Sequence, residues 1–96
     1  MKRNFFGGDL DQVNDEANEL LDYLEDEGYR VPYDVKDWLQ EGSLVNNERE
    51  YCRWKQDAKI WFANASLFDG DRNAEKLADN LFNVMFDLEA TQGYCA

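Results

Sequence analysis

No histidine occurs anywhere in the sequence. The usual general base of nucleophilic catalysis and the commonest metal ligand are therefore missing. Cysteine is scarce as well: Cys52 and Cys95 lie far apart, and neither has a second cysteine beside it at metal-ligand spacing. No metal and no other cofactor is expected. Met1–Gly8, MKRNFFGG, has two basic residues but no apolar core for export. Reduced thiols in a cytoplasm are the expectation, and nothing in the sequence supports a Cys52–Cys95 disulfide. No apolar run approaches the roughly 20 residues of a membrane span. Proline occurs once, at Pro32.

Positive charge is the other shortage. Ten Lys and Arg stand against 21 Asp and Glu, giving a formal charge of −11 and a pI near 4.2. Such a chain repels DNA, RNA and anionic membrane surfaces and attracts basic protein surfaces. Direct nucleic-acid binding and membrane attachment are not expected. High net charge also favours disorder, but the three Trp and the periodic apolar stripes oppose it here. A chain of 96 residues makes one domain, spanning 1–96, and can bury a core without a metal or a disulfide.

Catalytic chemistry finds little support. No phosphate-cradling glycine loop is present. Cys52 falls on a helical stretch near Arg49, Arg53 and Lys55, which would lower a thiol pKa, yet a mid-helix cysteine is more often a small packing residue. The carboxylates fall on exposed helix faces, whereas catalytic acids need a pocket that perturbs them. An enzyme is not expected. Asp69, Asp71 and Asn73 match the first three oxygen positions of a calcium loop, but the glycine and glutamate such a loop requires are replaced by Ala74 and Asn80. A helix-capping turn accounts for those residues.

What the chain has in abundance is helical periodicity. In Asp9–Glu27 the apolar residues Leu10, Val13, Ala17, Leu20, Leu21 and Leu24 mark one face of a helix, with Asp9 as N-cap and Gly28 at the C′ position. Pro32 opens a short second helix over Tyr33–Glu41, with Val35, Trp38 and Leu39 on one side. Asn47 and Glu50 form a capping box for a third helix to about Ala65, striped by Tyr51, Trp54, Ala58, Trp61, Phe62 and Ala65. Some of its cations, Arg49, Arg53, Lys55 and Lys59, are expected to face the first helix, within the chain or across a dimer. A fourth helix follows Asp69–Asn73 and runs to about Ala90, striped by Ala74, Leu77, Leu81, Val84, Met85 and Leu88. Ala78, Phe82 and Phe86 widen its apolar arc, which implies either a central helix packed on two sides or a subunit interface at Phe82 and Phe86. The fold class is all-α, a compact bundle of about four helices, three long and one short. Residues 28–46 leave room for a small irregular or hairpin segment, and residues 1–8 and 91–96 are expected to be loosely ordered. Phe5 and Phe6 either fold back onto the core or serve a partner contact.

The functional signal is the charge on the first helix. Asp9–Glu27 holds nine acids and no Lys or Arg. Six like-charged pairs fall three or four residues apart, at a cost of very roughly 1–3 kcal/mol. Glu25, Asp26 and Glu27 crowd the end where the helix dipole disfavours anions. At about 1.5 Å rise per residue these charges recur roughly every 3 Å, close to the spacing of about 3.4 Å along one strand of duplex DNA.

In composition the chain resembles the small acidic proteins with which phages and mobile elements block host defence enzymes, many of which imitate DNA. No motif carries this resemblance, so it assigns no residue roles. It implies an inhibitor of anti-restriction or anti-CRISPR type, acting in the host cytoplasm on a basic, nucleic-acid-binding protein. Asp15, Glu16, Glu19, Asp22, Glu25 and Asp26 are the residues that would stand in for phosphates. An alternative is an immunity protein or antitoxin against a basic toxin, anchored by Tyr29, Tyr33 and Trp38. A third is a homo-oligomeric adaptor using Phe82 and Phe86; monomer and homodimer both remain open.

Overall fold

The computed structural model describes residues 10–95, the side chain of Ala65 excepted. The expectations placed on residues 1–9, including the Asp9 cap and the roles of Phe5 and Phe6, lie outside the described residues. The architecture is an all-helical bundle: α1 (Leu10–Asp26), α2 (Tyr33–Gly42), α3 (Glu48–Gln56), α4 (Lys59–Asn64) and α5 (Arg72–Gln92), with a 3-10 turn over Ala65–Phe68 between α4 and α5. Among the described residues there is no strand, and residues 28–46 hold a helix between two short connectors.

The apolar stripes do the packing they are spaced for. Val13, Ala17, Leu20, Leu21 and Leu24 of α1 are buried against Val35, Trp38 and Leu39 of α2 and Ala74, Ala78, Leu81, Met85 and Leu88 of α5, in one hydrophobic core. At Gly28 the backbone turns left-handed, with φ of 77°. The Tyr29 amide then reaches Leu24 O at 3.0 Å and the Gly28 amide reaches Glu25 O at 3.1 Å, which closes α1 with two carbonyls satisfied. Asn14, near the start of α1, donates to the carbonyls of Gly42 and Val45 at 2.9 and 3.1 Å. Lys36, near the start of α2, meets Glu25 near the end of α1 at 3.0 Å. The two helices therefore run antiparallel.

The third helical stretch is not continuous. α3 stops at Gln56, and α4 begins at Lys59. A pair of tryptophans sits at the break, where Trp54 O accepts from the Asp57 amide at 3.0 Å as well as from an indole. Trp38 and Trp54 stack with centroids 4.5 Å apart and planes 11° off parallel. Each indole N–H donates to the other residue's carbonyl, Trp38 Nε1 to Trp54 O at 3.0 Å and Trp54 Nε1 to Trp38 O at 2.7 Å. A continuous helix would need Trp54 O for the Ala58 amide. That amide goes instead to Lys55 O at 3.0 Å, and the chain bends. Gly42 sits against the same indole: a Cβ there would lie 2.5 Å from Trp54 Cζ2.

Two further expectations change in detail. Asn47 caps α3 through the Glu50 amide at 2.9 Å, but Glu50 reaches back to the Asn46 amide at 3.2 Å and not to Asn47. α5 runs to Gln92, and the segment after it is held. Gly93 turns left-handed, with φ of 70°, and Tyr94 packs edge-on to Tyr51 with centroids 5.8 Å apart. The expectation of reduced thiols is overturned: Cys52 and Cys95 are joined, with S–S of 2.11 Å and Cα atoms 5.5 Å apart. The pairing is a product of topology. Tyr51 and Lys55 lay α3 along the last turns of α5, and the Gly93 turn brings Cys95 back onto Cys52.

Candidate functional site: the carboxylate face of α1

Burying Val13, Ala17, Leu20, Leu21 and Leu24 forces the remaining positions of α1 outward. Asp15, Glu19, Asp22, Glu25 and Asp26 are all exposed. Glu16 is half-buried at the edge of the stripe, and its Oε1 has no hydrogen-bond partner among the described residues. Burial first, then the charges of Glu19 and Asp15, raise its pKa above the ordinary carboxylate value.

Within the chain, Arg49, Arg53, Lys55 and Lys59 form no ion pair with α1 among the described residues. Lys55 pairs with Glu89 on α5 at 2.6 Å. Among the described residues a cation reaches α1 from α2: Lys36 on Glu25, a pair with both side chains close to half exposed. A surface pair of this kind contributes about 0–1 kcal/mol. Asp15, Glu19, Asp22 and Asp26 form no ion pair with any described Lys or Arg. Of the six carboxylates singled out in the sequence, four thus stand open, one is half-buried and one is partly compensated.

A second group of acids was visible in the sequence at helical spacing and not singled out. Asp34, Asp37 and Glu41 follow one another by three and four residues on α2. The fold sets them around a shallow dent with Asp57. Glu41 has its pKa raised, by burial first and then by a hydrogen bond to Asp37 and the charges of Asp37 and Asp57.

The three aromatic anchor candidates separate. Tyr33 is 77% exposed, whereas Trp38 is 2% exposed and belongs to the core. Trp38 is therefore not available as a surface anchor. Its neighbours in sequence did not reveal that its indole N–H is consumed by Trp54. Tyr29 is half-buried and donates through its hydroxyl to Asp71. Tyr23 donates to the same carboxylate, 2.9 Å from each oxygen. Asp71 also caps α5 by accepting from the Asn73 and Ala74 amides at 3.0 and 3.1 Å. Its carboxyl is held below its ordinary pKa, chiefly by the Tyr29 hydroxyl, and that hydroxyl is itself pushed up to about 12. The residues read against the calcium pattern are thus a capping turn. Among the described residues, no group of three or more acids, cysteines or histidines is arranged to hold a metal ion.

Phe82 and Phe86 part company in a similar way. Phe82 is half-buried, its ring 5.1 Å from Phe62 and 6.4 Å from both Trp38 and Trp61. Phe86 is 72% exposed and Phe62 is 64% exposed. With Ala58 and Met85 they line an apolar groove between α5 and the α3–α4 bend, rimmed by Lys55, Asp79 and Glu89. α5 is accordingly packed by α1 on one side and, at Phe82, by Trp38, Trp61 and Phe62 on the other. No described helix is long and apolar enough to cross a membrane. Compared with known proteins, the chain matches no family model, no curated protein and no solved structure.

Proposed function

We propose that this chain is a small acidic inhibitor that lays the carboxylate face of α1 on the nucleic-acid-binding site of a basic protein, in the manner of a DNA mimic. A restriction enzyme, a CRISPR effector or another defence nuclease of a bacterial host is the kind of target whose phosphate-binding surface fits. The observation that carries the reading is that Asp15, Glu19, Asp22 and Asp26 face solvent without a described internal cation, although their mutual repulsion costs stability. A row of anions spaced along a rigid rod presents to a phosphate-binding groove the field that groove is built to hold. Association would be fast, steered and sensitive to salt.

The test is displacement of labelled duplex DNA from a panel of restriction and CRISPR nucleases, followed by fluorescence anisotropy at low and high salt. Reversal of Asp15, Glu19, Asp22 and Asp26 to Lys should weaken displacement far more per charge than reversal of Asp79 and Asp87 on α5. Equal losses per charge would mean that net charge alone acts, and the α1 face would lose its role.

Tyr33, large, aromatic and exposed at the start of α2, favours one competing reading, an immunity protein or antitoxin that binds a basic toxin. Such a complex would depend on its aromatic anchor and hold at high salt. Tyr33→Ala abolishing binding while α1 charge reversals leave it intact would select that reading.

A further inference from the structure

We propose that the Cys52–Cys95 bond is a thiol–disulfide exchange site at which a dithiol reductant releases the C-terminal segment from α3 without unfolding the bundle. The proposal is independent of the role given to α1. Three observations carry it.

The first is that the bond lies at the edge of the core, with Cys52 packed against it. Leu88 is the last buried apolar residue among the described ones, and neither cysteine is fully buried: Cys52 is half-buried and Cys95 is exposed. The exposed Cys95 side gives an attacking thiolate access to the bond. The second is the backbone at Cys95, whose φ of 64° is left-handed. Few residues with a Cβ adopt that conformation, so cleavage, which removes the tie to Cys52, leaves the chain free to take the commoner ones. The third is the surroundings of Cys52. Arg49 lies three residues before it on α3 and Arg53 is adjacent, while Lys55, three residues after it, is taken by Glu89 at 2.6 Å. Cationic neighbours stabilise the thiolate that must leave.

The chemistry balances with one reductant. A thiolate of the dithiol attacks Cys95 Sγ, the Cys52–Cys95 bond breaks, and its electron pair leaves on Cys52 Sγ, which takes a proton. The reductant's second thiol, as thiolate, then attacks the mixed disulfide. Cys95 departs as a thiolate and is protonated, and the reductant leaves as its own disulfide. Two electrons and two protons reach the protein in all. What the segment gives up is the edge-on contact of Tyr94 with Tyr51 and the hydrogen bond that the Tyr94 amide donates to Leu88 O at 3.4 Å. Lifting Tyr94 bares the Tyr51 surface of α3.

The experiment uses the full chain, purified in air and then treated with dithiothreitol at neutral pH. Alkylation followed by intact mass counts free thiols, far-ultraviolet circular dichroism reports the helices, and hydrogen exchange of the C-terminal peptide reports the segment. The expected result is no alkylation before reduction and labelling of both cysteines after it. Helical signal should be unchanged, and exchange over residues 89–95 should be several-fold faster, reverting on reoxidation. Cys95→Ser should show the fast exchange without reductant. Alkylation in air, loss of helical signal on reduction, or exchange that ignores the redox state would each overturn the proposal.

Discussion

At the scale of single residues, the least forgiving position is Gly42. A β-carbon there meets the Trp54 ring at 2.5 Å, and that ring cannot yield, because it is stacked on Trp38 and tied to it by two reciprocal hydrogen bonds. Gly42→Ala should therefore destabilise the protein by about 1–3 kcal/mol through overpacking, read as a lowered urea midpoint with unchanged slope. A substitution without effect would mean that the indole pair is free to shift. Asp71 makes the second residue-scale argument. Its carboxyl pKa is depressed, so the stability it contributes is present above the ordinary carboxylate range and is lost as pH falls through the depressed value. The Tyr29 hydroxyl is raised to about 12, so its contribution is complete below about 10 and is lost as pH rises through that value. Wild type minus Tyr29→Phe should accordingly give a thermal-midpoint difference that is flat through neutral pH and shrinks at both the acid and the alkaline end. A difference independent of pH would remove the shared-carboxylate explanation.

At the scale of helices, the positions of the bundle's elements were legible because they rest on local signals. Val13, Ala17, Leu20, Leu21 and Leu24 repeat at helical spacing, Gly28 ends the run, and Asn47 and Asp71 cap where short polar side chains cap. The break between α3 and α4 was not legible, because the contact that accompanies it, the Trp38 indole on Trp54 O, spans sixteen residues. The same holds for the disulfide, which depends on α3 lying along the end of α5, and for the source of the cation on Glu25, which depends on α2 running back along α1. The candidate face on α1 was readable as a pattern. Which of its carboxylates stand open was not, since Glu16 and Glu25 differ from their neighbours only through burial and through Lys36. One prediction belongs to this scale. Asp22 lies three or four residues from Glu19, Glu25 and Asp26. Asp22→Lys turns three repulsions into attractions, each pair shifting by a few tenths of a kcal/mol, so α1 should gain on the order of 1 kcal/mol. The thermal midpoint should rise while displacement of DNA from the target weakens. A variant that is both more stable and equally active would show that the face is a solvated surface and nothing more.

At the scale of the whole molecule, a charge of −11 on 96 residues sets stability against binding. Self-repulsion between exposed carboxylates favours the expanded chain, and added salt screens it over a Debye length that falls from about 10 Å at 0.1 M to about 3 Å at 1 M. The folded protein should therefore become more stable as sodium chloride rises through that range, with a thermal midpoint that climbs and then levels. A complex held by the α1 face should respond in the opposite sense, because the same screening weakens attraction between the carboxylates and a basic groove. The covalent closure between Cys52 and Cys95 adds a term that salt leaves alone. By its loop length, 43 residues apart in sequence, it contributes up to about 4 kcal/mol in a chain-entropy account. Reduction should lower the whole midpoint curve without changing its slope against salt. Opposed salt slopes for stability and binding, measured on one preparation, separate a surface that holds its charge for a partner from one that is merely acidic. Parallel slopes would place the binding elsewhere, with Tyr33 the first position to substitute.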